Sequence, residues 1–154
     1  MSSSAAVTCE GCGERNLVRP QAVSRPRCRR CRRWLPWLVD ASDDDFAHVA
    51  GSAVIPVVVD FWGPWCAPSR RLDSFFEQLA RALAGRAKLV RVNVEDAPQL
   101  IQRFGVQGLP TLLVMRRGCA LTRKSGAAPA HDLRDWVEEV LRVGADVSTS
   151  DRSS

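Results

Sequence analysis

An unbroken apolar run that leads into a cysteine-bearing turn constrains the fold of this chain more than any other feature. Residues 53–61 read Ala-Val-Ile-Pro-Val-Val-Val-Asp-Phe, a run rich in β-branched residues. Such a run is typical of a strand covered on both faces of an α/β sheet. A turn rich in Gly, Pro and Trp follows at 62–65, and Cys66 then stands at the head of a helical pattern. We therefore expect a central strand that places Cys66 at a helix N-terminus, where unpaired backbone N–H groups favour the reactive thiolate.

Strand and helix signals alternate along the rest of the chain. Apolar residues at three- and four-residue spacings predict amphipathic helices at 69–85 and near 133–141. Other signals predict strands at 34–39, 88–94, 111–115 and 119–124 and short helices at 42–51 and 98–104. The order β-α-β-α-β-α-β-β-α indicates an α/β fold, with a mixed sheet and helices on both faces. Residues 145–154 are polar, and we expect them to be disordered.

Four cysteines near the N-terminus have the spacing of a metal site. Cys9-x-x-Cys12 and Cys28-x-x-Cys31 are separated by fifteen residues, as in four-cysteine zinc sites. Four thiolates form a closed, structural site for one Zn²⁺ ion, and a module of about 30 residues needs such a metal to fold. We predict a zinc-ribbon module at residues 1–33 and a second domain at 34–144. A redox role for either pair is the weaker alternative, because neither pair follows an apolar strand or opens a helix.

Basic charge is concentrated in the N-terminal module. Residues 1–39 carry a net charge of +6, whereas the rest of the chain carries −1. The arginines around the second cysteine pair, together with Trp34 and Trp37, are compatible with a nucleic-acid-binding ribbon. Adjacent cations would equally stabilise a tetrathiolate zinc site, whose formal charge is −2. We favour this second interpretation and expect no nucleic-acid partner.

The cysteine content and the N-terminal segment predict a cytoplasmic protein. Residues 1–8 have neither the basic region nor the apolar stretch of a secretory signal. No apolar run reaches the ~20 residues of a membrane helix, so we expect no membrane association. In a reducing compartment, six cysteines indicate metal binding or catalysis rather than a disulfide framework.

The segment from Asp60 to Ser69 resembles the active-site strand and loop of the thioredoxin family, whose pattern there is Trp-Cys-Gly-Pro-Cys. The likeness covers residues 34–143 and includes the segments 91–94 and 105–111, while the N-terminal cysteines resemble those of the thioredoxin-2 subgroup. It implies a thioredoxin fold, a mixed central sheet flanked by helices, preceded by a small four-cysteine zinc ribbon. The active site of this chain reads Cys-Ala-Pro-Ser, so Ser69 replaces the second redox cysteine.

The resemblance also implies roles for the residues around Cys66. Asp60 matches the buried aspartate that takes a proton from the second cysteine in the family. Pro110 matches a cis-proline opposite the active cysteine, which leaves the backbone of Leu109 free to pair with an extended peptide. The catalytic set is therefore Cys66, Ser69 and Asp60, and the substrate-binding set is Trp65, Ala67, Pro68, Leu109 and Pro110.

Ser69 determines the kind of reaction that the sequence predicts. A serine hydroxyl does not exchange with a disulfide, so an external thiol must complete the reaction that Cys66 begins. Cys119 is no substitute, because it is expected about 15–20 Å from the active-site end of its sheet. We predict a monothiol thiol-disulfide oxidoreductase without an organic cofactor. Its partners would be protein disulfides or glutathionylated proteins, with glutathione, another small thiol or thioredoxin reductase as reductant.

The alternative prediction is a redox-inactive protein. The same fold could serve as a protein-binding or chaperone module that keeps the peptide-binding surface around Trp65, Leu109 and Pro110. The loss of the second cysteine motivates this alternative.

Overall fold

A small antiparallel hairpin begins the computed structural model, which describes residues 5–20, 24–51, 53–126 and 128–153. Its strands are β1 (Ala5–Thr8) and β2 (Arg15–Val18), paired so that Thr8 lies opposite Arg15. The first cysteine pair occupies the turn between them. The sequence did not predict these strands, because four-residue segments of this composition carry no alternating apolar pattern.

A five-stranded mixed sheet forms the centre of the molecule. Its order is β3-β5-β4-β6-β7. Strands β3, β5 and β4 run parallel to one another, and β6 runs antiparallel to both of its neighbours, β4 and β7. The predicted central strand and edge strand are confirmed as β4 and β3, but β3 begins four residues later than the sequence suggested. The strand bounds are Leu38–Ala41 for β3, Val57–Trp62 for β4, Lys88–Asn93 for β5, Thr111–Arg116 for β6 and Cys119–Ser125 for β7.

Helices cover both faces of this sheet, so the predicted α/β fold with a mixed sheet is confirmed. They are α1 (Phe46–Val49), α2 (Ala67–Ala82), α3 (Pro98–Phe104) and α4 (Ala130–Ser153), with a 3₁₀ turn at Val94–Asp96. Alternate residues of a strand point to opposite faces. Val58 accordingly packs in the core beneath α2 and α4, whereas Val57 and Val59 pack in the core beneath α1 and α3.

Helix α4 is longer than the sequence indicated. It continues to Ser153, into the segment 145–154 for which the sequence predicted disorder, while Ser154 lies outside the described residues. Polar composition alone does not stop a helix, and the single Gly144 costs only about 1 kcal/mol within one. Among the described residues, no helix combines the length and apolar character that a membrane span requires.

A buried lysine joins the N-terminal module to the sheet. Lys88, at the start of β5, is fully buried, and its ammonium group donates to the backbone carbonyls of Pro20 and, at 2.6 Å, of Val49. The same nitrogen lies 4.4 Å from the centre of the Trp37 ring. Burial lowers the pKa of Lys88 to about 8. The module is thus attached to the sheet through a buried cation whose three donors have acceptors on both sides.

Trp34 makes a second contact between the module and the domain. A Cβ atom at Gly85 would lie 2.6 Å from Trp34 Cγ, and the positive φ of Gly85 (+78°) also favours glycine. The guanidinium carbons of Arg25 and Arg27 lie 4.5 and 4.0 Å from the centre of the Trp34 ring. Two of the arginines that crowd the second cysteine pair therefore have an aromatic partner within the protein.

Candidate active site and metal centre

Cys66 lies at the N-cap of α2, immediately beyond the turn that follows β4. Its backbone is extended (φ −101°, ψ 106°), its N–H donates to the carbonyl of Gly63 at 3.0 Å, and Pro68 occupies the first turn of the helix. Proline is tolerated there because that N–H has no partner within the helix. The side chain of Cys66 is half-buried, and the first N–H groups of the helix have no partner within it.

The peptide bond between Leu109 and Pro110 is cis and lies beside this thiol. The cis geometry that the resemblance implied is therefore present. Cys66 Sγ lies 3.9 Å from the carbonyl oxygen of Leu109. Pro110 is buried, whereas Leu109 is only partly buried, so Leu109 is the residue of this pair that faces outward.

An exposed aromatic ring completes the rim of the site. Trp65, in the turn between β4 and α2, is 66% exposed. A Cβ at Gly63 would lie 3.0 Å from Trp65 Cε2 and 3.1 Å from Leu109 Cδ1. Gly63 thus allows the two side chains to approach each other, a role that the sequence analysis missed. Ala67 and Pro68 are also exposed, so the five predicted substrate-binding residues belong to one region around Cys66.

Ser69 is the third residue of α2, one helical turn from Cys66. Its side chain lies outside the described part of the structure. Cys119, the first residue of β7, pairs with Arg116 at the other end of β6 from Pro110. Five residues of strand separate those ends by about 17 Å, so Cys119 is remote from Cys66.

Asp60 is fully buried in β4, and neither of its carboxylate oxygens has a hydrogen-bond partner among the described residues. Burial raises the pKa of Asp60 to about 7; the charge of Arg91 opposes this increase and that of Asp73 adds to it. The guanidinium of Arg91 bonds to the Asp73 carboxylate and lies 4.9 Å from the centre of the Trp62 ring. Neither Asp73 nor Trp62 was predicted at the site. Asp73 follows Ser69 by four residues, or about one turn of α2, so the helical period places both residues on one face of the helix, and this spacing was a usable signal.

The four N-terminal cysteines come together as their spacing predicted. The sulfur atoms of Cys9, Cys12, Cys28 and Cys31 all lie within 4.8 Å of one another, and the Cys9–Cys31 and Cys12–Cys28 sulfur pairs are 3.5 Å apart. A tetrahedral zinc ion with Zn–S bonds of about 2.3 Å separates its sulfur ligands by about 3.8 Å. The cluster therefore has the size and the donor set of a four-thiolate metal site.

Two similar turns hold these sulfurs in place. Gly13 N–H donates to Cys9 O and Arg32 N–H to Cys28 O, both at 2.9 Å. Gly13 and Arg32 both have positive φ, +78° and +69°, at equivalent positions after the two cysteine pairs. The backbone N–H of Cys31 is the main cause that lowers the pKa of the Cys28 thiol to about 6. The second turn thus aims a backbone donor at the Cys28 sulfur, which favours the thiolate that a metal binds. At Cys12 the backbone N–H of Glu14 also lowers the pKa, but burial and the neighbouring cysteines outweigh it and raise that pKa to about 11.

The fold and the site together define a class of protein, an α/β protein with a helix-capping cysteine beside a cis-proline. Comparison with known proteins gives the family. Residues 37–139 match the thioredoxin family model, and the chain belongs to the thioredoxin family.

Individual relatives agree with this assignment. Thioredoxin of Haemophilus influenzae is 35% identical over 98 residues, which cover 64% of this chain and 92% of the relative. Thioredoxin of Rhodospirillum rubrum is 37% identical over 97 residues, or 63% of this chain and 93% of the relative. Thioredoxin C-3 of Corynebacterium nephridii is 27% identical over 139 residues, covering 88% of this chain and 95% of the relative. That last match extends outside residues 37–139.

Proposed function

We propose that this chain is a monothiol thiol-disulfide oxidoreductase. The observation that carries the proposal is the position of Cys66 at the N-cap of α2, beside the Leu109 carbonyl, in a sequence with Ser69 in place of the second cysteine. This arrangement supports the first nucleophilic step and lacks the resolving thiol of a dithiol mechanism.

The reaction balances with glutathione as reductant. The Cys66 thiolate attacks the glutathione sulfur of a glutathionylated protein, a new disulfide forms between Cys66 and glutathione, and the protein thiolate leaves. A second glutathione thiolate then attacks the glutathione sulfur of that mixed disulfide. Oxidised glutathione departs, and the Cys66 thiolate is regenerated. The net reaction consumes one reduced glutathione: the protein mixed disulfide and one glutathione thiol give the free protein thiol and one molecule of oxidised glutathione.

We assign Asp60 a proton-transfer role in the second step. A carboxyl group with a pKa near 7 exchanges a proton readily at neutral pH. The Asp60 carboxylate, which the charge of Arg91 favours, would accept a proton from the incoming thiol through a water molecule and so become the neutral acid. In the family pattern, the aspartate at this position takes a proton from the second cysteine, which is Ser69 in this chain.

The N-terminal cluster is proposed to bind one structural zinc ion, and the chain is proposed to belong to the thioredoxin-2 subgroup. Cys9, Cys12, Cys28 and Cys31 would hold the ion, which would fix the fold of the module at residues 1–33 before the domain at 34–144. The Arg33 guanidinium and the Cys9 sulfur both lie beside Gly11. A Cβ placed on that glycine would be 3.1 Å from Arg33 Nη1 and 3.7 Å from Cys9 Sγ, so a cation lies close to the thiolates. A cytoplasmic location would suit both the thiolates and Cys66.

A second candidate is a peptide-binding module without redox turnover. The observation that favours it is the exposed Trp65 ring beside Leu109, which forms an apolar surface next to the cis-proline turn. Such a surface can bind an extended peptide by backbone pairing and apolar contact. This candidate predicts that client binding is the same in wild type and Cys66→Ala.

A glutathione-coupled assay with a glutathionylated peptide tests the first proposal. We expect Cys66→Ser to reduce the rate to the uncatalysed background, because the variant lacks the attacking sulfur. Cys119→Ser is the matched control and should keep the wild-type rate. Turnover that survives Cys66→Ser would contradict the monothiol mechanism.

A further inference from the structure

A groove lined by arginines lies at the end of the sheet remote from Cys66. It has a volume of about 590 Å³ and includes Arg116, the last residue of β6, whereas the cis-proline precedes the first residue of that strand. Its lining comes from five separate parts of the chain, namely the N-terminal module, the connection before β4, the connection between α2 and β5, the end of β6 and the middle of α4. The lining residues are Arg25, Ile55, Pro56, Gly85, Arg86, Arg116, Glu138, Leu141 and Arg142.

Positive charge dominates this groove. Four arginines face one carboxylate, Glu138, which accepts from Arg86 with an Nη2–Oε2 distance of 2.7 Å. Arg142 pairs with Glu139 at 3.3 Å outside the lining, and both side chains of that pair are mostly exposed. Exposed ion pairs of this kind exchange partners at little cost. Each guanidinium has five N–H donors, so these internal contacts leave donors for a ligand.

The remaining lining is apolar. Ile55, Pro56 and Leu141 supply an uncharged part of the lining beside the arginines. A site for an inorganic anion alone needs no such surface, and a site for a nucleic-acid backbone presents its cations along a stripe. The volume lies within the range of about 300–1,000 Å³ that small-molecule sites occupy. The ligand that suits this lining has several negative charges at one end and a flat, weakly polar group at the other.

We propose that this groove binds a nucleoside di- or triphosphate. The arginines would hold the phosphate groups, since the planar guanidinium matches phosphate oxygens in pairs. The base would lie against Ile55, Pro56 and Leu141. Because Arg25 also donates to Gly85 O at 3.0 Å and stacks on Trp34, the ligand would bridge the N-terminal segment and the thioredoxin domain. The site is separate from Cys66, so the proposal stands independently of the redox mechanism.

Titration calorimetry with the full, metal-loaded chain tests this site. ADP and ATP are titrated at 0.15 M NaCl without added magnesium. Adenosine, which lacks the phosphate groups, and tripolyphosphate, which lacks the nucleoside, are titrated as partial ligands. We expect saturable binding of ADP or ATP, at least about tenfold tighter than either partial ligand. Arg142→Gln should weaken it about tenfold, because a charge-assisted hydrogen bond is lost. Glu138→Gln should tighten it about threefold, because the carboxylate no longer competes for Arg86.

Arg71→Gln is the matched control, since Arg71 is an exposed arginine of α2 outside the groove. It should leave the affinity unchanged. Four results would overturn the proposal: no binding of ADP or ATP at millimolar concentration, equal loss of affinity in Arg71→Gln and Arg142→Gln, tripolyphosphate binding as tightly as ADP, or binding of a 20-nucleotide strand without binding of ADP. The last result would indicate a nucleic-acid surface instead.

Discussion

Arg91 lies directly opposite Asp60 across the β4–β5 pair, yet its guanidinium bonds to Asp73 of α2. Asp60 is left in the core with no hydrogen-bond partner among the described residues, and burial raises its pKa to about 7. The site thus contains a neutral acid that ionises close to physiological pH. This relationship gives the first prediction.

We expect Asp60→Asn to stabilise the protein at pH 8 and to have little effect below pH 4. The pKa of Asp60 is raised in the folded state, so the unfolded chain ionises first as pH rises from about 4. The folded state loses relative stability until about pH 7, where it ionises as well. The full difference of about three pKa units corresponds to at most about 4 kcal/mol. Urea denaturation across pH 3–8 measures the effect.

Asp40→Asn is the matched control for this experiment. Asp40 is the exposed aspartate of β3, and its replacement should give the same stability change at every pH. If the Asp60→Asn curve runs parallel to that of the wild type, Asp60 does not titrate near neutrality.

Ser69→Cys should introduce the dithiol reaction. The new cysteine would lie one helical turn from Cys66 in α2 and could attack a mixed disulfide internally. We expect measurable reduction of insulin with NADPH and thioredoxin reductase, where the wild-type chain gives only background. Ser74→Cys places a thiol further along the same helix and should give none. A folded Ser69→Cys protein without activity would show that more than the resolving thiol separates this chain from a dithiol thioredoxin.

Trp65→Ala should impair protein substrates selectively. The ring is 66% exposed beside Leu109, where a bound peptide would cover it. Loss of a buried aromatic contact of this type costs about 1–2 kcal/mol, so kcat/KM for a glutathionylated protein should fall about five- to thirtyfold. The rate with a small mixed disulfide should change little. Leu17→Ala, at an exposed leucine of β2, is the control; equal losses with both substrates would mean that Trp65 acts on Cys66 itself.

Cys9→Ser should remove the metal and loosen the N-terminal module. Cys9 is buried in the same core as Trp37, so the change should lower the thermal midpoint of the whole chain by about 10 °C. Zinc content should fall from one ion per chain towards none, and trypsin should cut faster among the arginines at 25–33. Cys119→Ser is the control and should keep both the zinc and the midpoint. A Cys9→Ser protein with unchanged zinc content would exclude the four-cysteine site.

The parts of the fold that sequence predicts best are those with long, unambiguous patterns. The run at 53–61 predicted a covered strand, and the spacing of Leu72, Phe76 and Leu79 predicted a helix that faces the sheet. Both elements are present, although the strand begins at Val57, four residues later than predicted. Strands β1 and β2 were missed because they have four residues each, too few for a period to be visible.

The site shows the same division between local and distant relationships. Cys66 and the four N-terminal cysteines follow from spacing along the chain. The partner of Arg91 does not, because Asp73 meets it only after α2 packs across the sheet. Lys88 is a further example: it resembles a solvent-exposed strand end in the sequence, but its acceptors come from segments 39 and 68 residues away.

Lys88 also bears on how this chain can be divided. Truncation before residue 34 would remove Pro20 and leave a buried ammonium group with one of its acceptors missing. Water would have to take the place of that carbonyl, so the residues that match the family model depend on the N-terminal module for part of the environment of Lys88.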